Sequence, residues 1–188
     1  MRREDAFHIS LPATSANIGP AFDAAALALA LSLKLRAVKA KKFSIVASGR
    51  DSAICSNVEN HLILSTYSEV LQSERKQVAP LALNINNEFP IGKGCGSSAA
   101  ARLAGIALAV HFGRLKWSSS RIVGEASRRE HHPDNAAACW MGGITVARIE
   151  KVKSKVEAFL RERGLIAEVL ATSIARRGGE ASFLRRSR

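Results

Sequence analysis

Residues Pro90–Val110 read PIGKGCGSSAAARLAGIALAV and are the most informative part of the sequence for the fold. Its glycine-rich beginning follows an alternating apolar run at Leu81, Leu83 and Ile85 and leads into an alanine-rich segment. The pattern predicts a strand, a loop and then a helix. Glycine lets backbone N–H groups approach an anion closely, and a helix N-terminus adds unpaired donors with a partial positive charge. A polyphosphate is the ligand that this arrangement favours.

Two common phosphate-binding motifs do not fit this loop. The Walker motif needs a lysine directly before its Ser or Thr, whereas Lys93 lies between the first two glycines. The dinucleotide motif G-x-G-x-x-G fails because the glycines are Gly92, Gly94 and Gly96 and a serine follows at once. On the residues alone, a helix start rich in Gly and Ser that binds no ligand remains an alternative.

The loop resembles the motif P-x-G-x-G-L-G-S-S-A-A of the GHMP kinase superfamily. Here the motif reads P-I-G-K-G-C-G-S-S-A-A, and Cys95 takes the place of the usual leucine. Two further stretches, PATSANIGPAFDAAALAL at Pro12–Leu29 and EHHPDNAAACWMGGITVA at Glu130–Ala147, look like the other two blocks of homoserine kinases. The blocks stand in the family's order, and the resemblance covers residues 6–147.

The resemblance implies an α/β fold in two layers, similar to the ribosomal S5 domain 2-like N-terminal domain of GHMP kinases. From the same resemblance we expect that the chain lacks the ferredoxin-like C-terminal domain of complete relatives. From Arg148 to Arg188 there are eleven Lys/Arg and five Asp/Glu, with a short helical pattern around 152–160. We predict an ATP-binding domain over 1–147 and, over 148–188, a basic tail with one short helix. This tail is either a disordered end or the product of a changed reading frame.

The resemblance also implies roles for individual residues. It assigns ATP binding to the loop and the first helical turn, namely Pro90, Ile91, Gly92, Lys93, Gly94, Cys95, Gly96, Ser97, Ser98 and Ala99. Mg²⁺ would be bound by Ser98 and Glu130, which form the predicted catalytic set together with Asp23. L-Homoserine would contact Asn17, Asp23, His132, Asp134 and Asn135. The implied reaction transfers the γ-phosphoryl group of ATP to the homoserine hydroxyl in threonine biosynthesis, and no catalytic base is assigned.

The sequence departs from the family pattern at several positions. Ala21 and His131 stand where glycine is usual, and Arg102 stands where the family tends to be apolar. A charge at Arg102 needs solvent or a partner. The adjacent histidines raise the alternative of a metal site with histidine ligands, but H-H-P-D lacks the i, i+4 spacing that places two histidines on one helical face.

Composition narrows the class of protein further. The chain has 188 residues, of which 47% are hydrophobic, enough for one domain with its own core. No apolar run approaches a bilayer span and the N-terminus has no signal-like apolar segment, so we expect a cytoplasmic protein with no membrane partner. The net charge of +12 comes with only 5% aromatic residues, so we expect no nucleic acid partner. The three widely spaced cysteines are expected to be reduced.

Other functions remain open beside that of a homoserine kinase. They are a non-catalytic nucleotide-binding protein and a different small-molecule kinase of the GHMP superfamily. A homodimer is left open. The remaining elements are predicted as strands over 6–13, 29–36, 43–48 and 144–147, helices over 61–74, from 118 to about 130 and from Pro133, and loops over 12–23 and 50–59.

Overall fold

The computed structural model describes residues 6–18, 21–130, 133–146 and 180–182, and for 21–24 and 180–182 it describes the backbone alone. Three strands come first along the described chain, and two helices, a strand, three helices and two short strands follow. In chain order they are β1 (Phe7–Ile18), β2 (Ala21–Lys39), β3 (Ser44–Gly49), α1 (Ser52–Ser56), α2 (Leu62–Ser73), β4 (Leu81–Asn87), α3 (Ser97–Phe112), α4 (Ser119–Glu130), α5 (Pro133–Met141), β5 (Ile144–Val146) and β6 (Glu180–Ser182).

Within the described residues, the strands form one six-stranded sheet. Its order is β3–β4–β2–β1–β6, and β5 pairs separately with β2. β1 and β2 form a long antiparallel hairpin in which Leu11 lies opposite Leu33 and Ala16 opposite Ala26. β4 runs antiparallel to β2 and parallel to β3. Because side chains alternate between the two faces of a strand, one face of this sheet is apolar and the other is polar.

The core lies between the apolar face of the sheet and the helices. Tyr67 of α2 and Leu103, Ile106 and Leu108 of α3 are fully buried in it. Small residues let α2 and α3 approach closely: a Cβ added to Gly105 would lie 2.6 Å from a backbone carbonyl oxygen of α2. This packing fixes α3 against the sheet and thereby positions the N-terminal end of α3, where the glycine-rich loop meets it.

The hairpin corrects one prediction from the sequence. A loop is predicted over 12–23, but β1 and β2 extend into this region and leave only residues 19–20 between them. Register shifts follow Pro12 and Ala16, and Asn17 has a φ of 59°. The residues that favour turns therefore produce bulges in paired strands, because a bulge absorbs an extra residue without ending the ladder.

The region predicted as a loop over 50–59 contains α1 and is a second correction. Asp51 has a φ of 52° and its carbonyl oxygen accepts the N–H of Ile54 at 2.9 Å. A helix of five residues is too short to show an apolar period in the sequence. The predicted helices that begin at Ser97 and Pro133, and the one that ends near Glu130, are confirmed.

Part of the predicted tail joins the sheet. β6 lies within residues 148–188 and pairs antiparallel with β1, with Ala181 opposite Ile9. The predicted helix around 152–160 lies outside the described residues, and the domain boundary at residue 147 stays a prediction. None of the described helices has the length and apolar character needed to cross a membrane.

Candidate active site

The loop between β4 and α3 exposes its backbone. Gly92, Gly94 and Gly96 have φ values of 70°, 74° and 64°, in the left-handed region that favours glycine. A Cβ at either of the first two would meet nothing within 4 Å, so open space surrounds them. Lys93, between them, is also exposed. A loop of this shape that leads into a helix N-terminus can accept an anion on its backbone N–H groups.

Three hydrogen bonds to backbone groups hold the loop in place. They join Ile91 N to Asp51 Oδ2 at 2.8 Å, Gly92 N to Ser97 Oγ at 3.2 Å, and Thr14 N to Cys95 O at 3.0 Å. Asp51 lies next to α1 and comes 40 residues before its partner, so no local pattern in the sequence signals this contact. The loop is thus fixed to two different elements of the scaffold, while the space around Gly92 and Gly94 remains open.

Thr14 brings the three sequence blocks together. It is fully buried, and its hydroxyl donates to Asn135 Oδ1 at 2.6 Å. A Cβ on Gly96 would lie 1.9 Å from Thr14 Oγ1 and 3.3 Å from Asn135 Oδ1. Gly96 is therefore required both by its φ and by the space around it. Sequence analysis missed Thr14, and the only signal for it is its place within the PATSAN block.

Ser98 and Glu130 lie in direct contact although 32 residues separate them. Ser98 is in the first turn of α3 and donates its hydroxyl to Glu130 Oε1, and Glu130 is the last residue of α4. The other carboxylate oxygen, Oε2, accepts Nε of Arg102 at 2.9 Å, so Arg102 has the partner that its charge requires. A hydroxyl and a carboxylate are oxygen ligands that Mg²⁺ takes, so this donor set fits the predicted ion.

The beginning of α5 holds two more residues of the predicted site. Asp134 is fully buried; its Oδ1 accepts the N–H of Asn135 at 2.8 Å, and its Oδ2 has no hydrogen-bond partner within the described part of the chain. An acid in the first turn also interacts favourably with the helix dipole. Asn135 is half-buried and faces the loop through Thr14. Asn135 is thus linked to the loop through Thr14, whereas the hydrogen bond of Asp134 lies within the first turn of α5.

The other predicted residues are placed as follows. Asn17 is exposed near the end of the β1–β2 hairpin. Asp23 contributes its backbone to β2, but its side chain lies outside the described part, as does all of His132. Ala99 is fully buried, so only its backbone N–H could contact a ligand. Their predicted roles in binding stay predictions.

The cysteines provide a test of this packing. Cys95 in the loop is partly exposed, whereas Cys55 and Cys139 are buried. Burial raises the pKa of the Cys139 thiol. The pKa of the Cys55 thiol is also raised, mainly by burial and to a smaller extent by the negative charge of Asp51. Because the thiolate is the reactive form, we expect iodoacetamide at pH 8 to alkylate Cys95 first and Cys139 only after unfolding. Peptide mass spectrometry at timed quenches measures the order, and rapid alkylation of Cys139 in the folded protein would contradict the packing.

Comparison with known proteins shows which family the chain is similar to. Residues 61–143 match the model described as the GHMP kinases N terminal domain. A homoserine kinase from Solibacter usitatus is 44% identical over 144 residues, which are 77% of this chain and 47% of the relative. A homoserine kinase from Bacillus cereus is 34% identical over 163 residues, covering 86% of this chain and 53% of the relative.

A solved structure agrees with these sequence matches. A Listeria monocytogenes protein assigned as a homoserine kinase is 34% identical and has a TM-score of 0.66, over 73% of this chain and 48% of that one. The resemblance to homoserine kinases and the predicted α/β fold class are thereby confirmed. The chain spans about half the length of the curated relatives that it matches.

Proposed function

We propose, because residues 61–143 match the GHMP kinases N terminal domain, that this chain forms the ATP-binding part of an enzyme that phosphorylates L-homoserine. The product would be O-phospho-L-homoserine, an intermediate of threonine biosynthesis. One observation carries the proposal: the open glycine loop, the N-terminus of α3 and the contact between Ser98 and Glu130 all lie at one place. The relatives named homoserine kinase support the choice of substrate.

The loop would bind the phosphates of ATP mainly through its backbone. The first N–H groups of α3, on Ser97, Ser98 and Ala99, have no partner within the helix and point along the axis at its positive end. Glycines at 92 and 94 leave room for phosphate oxygens next to the backbone. Lys93 at the exposed tip adds a positive charge that would attract the nucleotide.

Ser98 and Glu130 would hold Mg²⁺ with their hydroxyl and carboxylate oxygens. When bound, the ion neutralises charge on the phosphates of ATP. Phosphoryl transfer depends mostly on positioning and charge neutralisation, with little covalent chemistry for the protein to perform. The protein therefore contributes a rigid frame, in which α3 supplies the hydroxyl and the end of α4 supplies the carboxylate.

L-Homoserine would bind beside the loop. We assign contacts with its ammonium and carboxylate groups to Asn17, Asp23, His132 and Asn135, since carboxylate and amide groups suit these charges. Asp134, which is fully buried, would instead hold the beginning of α5 in place. The bound substrate would present its hydroxyl to the γ-phosphate, and no base is assigned.

The second candidate is a nucleotide-binding protein without catalytic activity. It is favoured by the open backbone of the loop at Gly92 and Gly94, because backbone N–H groups and a helix N-terminus can bind phosphates without any catalytic side chain. We also propose a cytoplasmic location, which fits an enzyme of amino-acid biosynthesis that uses ATP. A homodimer remains open.

A phosphotransfer assay separates the two candidates. The 188-residue chain is incubated with Mg-ATP and L-homoserine, and O-phospho-L-homoserine is measured by mass spectrometry, with mevalonate as the alternative acceptor. We expect slow product formation that requires Mg²⁺ and homoserine. ATP binding without product would favour the non-catalytic candidate, and phosphorylation of mevalonate alone would contradict the assigned substrate.

A further inference from the structure

The carboxylate of Glu130 has both oxygens engaged by residues of α3. Ser98 and Arg102 are four positions apart and so lie on the same face of that helix. The Ser98 hydroxyl donates to Oε1, and Arg102 Nε donates to Oε2 at 2.9 Å. Two successive turns of α3 therefore donate hydrogen bonds to one carboxylate at the end of α4.

The carboxylate of Glu130 requires the positive charge of Arg102. Its side chain is only 8% exposed, and that of Arg102 is 26% exposed. A carboxylate so far removed from water is costly unless it is paired. Its position at the C-terminal end of α4 adds to the cost, because the helix dipole disfavours negative charge there.

The two arginines at the end of α4 pair with glutamates other than Glu130. Arg128 pairs with Glu125 at 2.8 Å, and Arg129 pairs with Glu125 at 2.7 Å and also contacts Glu69. Within the described part of the chain, Arg102 is thus the cation that contacts Glu130.

We propose that Arg102 is a positioning residue that fixes Oε2 of Glu130 and leaves Oε1, beside Ser98, as the single carboxylate oxygen open to a divalent cation. The inference rests on the proposed metal-binding role of Ser98 and Glu130. An entering cation would replace the hydrogen bond between Ser98 and Oε1, while the contact of Arg102 with Oε2 would remain. Arg102 also acts as the counter-charge of Glu130 when no metal is bound, and its charge opposes the entering cation.

The inference predicts a metal-dependent difference between variants. The full chain and its Arg102→Met, Arg102→Lys and Arg128→Met variants are unfolded thermally in EDTA and in a series of Mn²⁺ concentrations without nucleotide. In EDTA we expect Arg102→Met to lower the midpoint by about 5 °C. Arg102→Lys should recover most of this loss because it restores the charge. The exposed control Arg128→Met should match the wild type.

Mn²⁺ distinguishes positioning from a purely structural role. We expect it to raise the midpoint of Arg102→Met at about tenfold lower concentration than that of the wild type, because the ion replaces the missing charge and both carboxylate oxygens become available. Equal Mn²⁺ responses in these two proteins, or an unchanged midpoint of Arg102→Met in EDTA, would overturn the inference. The unfolding experiment contains no nucleotide, so its result does not depend on ATP binding. Failure of the chain to bind ATP would contradict the proposed function, whereas the Mn²⁺ responses test the role of Arg102.

Discussion

Replacing Glu130 with glutamine is expected to abolish the Mg²⁺ dependence of ATP binding and to lower homoserine phosphorylation by about 10²–10³-fold. Glutamine has nearly the same size and can still accept the hydrogen bond from Ser98. It lacks the negative charge that makes a carboxylate a good ligand for Mg²⁺. The measurement is the ratio of ATP dissociation constants in Mg²⁺ and in EDTA, obtained by equilibrium dialysis.

Glu125→Gln is the matched control for this change. Glu125 lies on the same helix, and within the described part of the chain its ion pairs are with Arg128 and Arg129 and none is with Ser98 or the loop. Its ATP binding should keep the wild-type response to Mg²⁺. Ser98→Ala removes the second oxygen ligand and should change turnover in the same direction as Glu130→Gln. A normal Mg²⁺ response in the Glu130→Gln variant would show that the ion is held elsewhere.

Gly96→Ala is expected to have the second large effect, a loss of about 3 kcal/mol of unfolding free energy together with loss of ATP binding. The φ of 64° is strained for alanine, and its Cβ would lie 1.9 Å from Thr14 Oγ1. Gly94→Ala is the control, since its φ is 74° but nothing lies within 4 Å of the added Cβ. This control should cost only about 1 kcal/mol. Urea unfolding measures both, and equal losses would contradict the close contact.

A double variant tests the cause of the clash. Thr14→Ala removes the hydroxyl that the new Cβ would meet, although the Cβ of residue 14 remains at 3.1 Å. Thr14→Ala combined with Gly96→Ala should therefore lose less stability than the sum of the two single changes, with a coupling of about 1 kcal/mol or more. Additive losses would mean that the strain at Gly96 comes from its backbone alone.

Local chemistry explains which elements could be predicted from the sequence. The glycines at 92, 94 and 96 and the alanines after Ser98 determine a loop and a helix through backbone freedom and side-chain size. Pro133 marks a helix start because the N–H group of the first helical residue has no partner within the helix. Proline, which lacks this N–H, therefore loses no hydrogen bond there. The sequence predicts a loop over 12–23 because residues that favour turns are frequent there. The same residues also occur at bulges, and pairing with the neighbouring strand decides whether a loop or a bulged strand forms.

The candidate site depends on contacts that local patterns do not encode. The resemblance predicts the roles of Ser98 and Glu130. The contact between Arg102 and Glu130 depends on the packing of α3 against α4, which the sequence does not indicate. Asp51 and Thr14 bind the loop from other elements of the fold. Neither residue has a period or spacing that indicates its contact with the loop, so the contact is seen only in the tertiary structure.

Binding of ATP with Mg²⁺ by the loop and the beginning of α3 can be measured by isothermal titration calorimetry of the purified 188-residue chain with Mg-ATP. We expect saturable heat from a single site, with weaker binding when EDTA replaces Mg²⁺. No saturable heat up to millimolar Mg-ATP would contradict it.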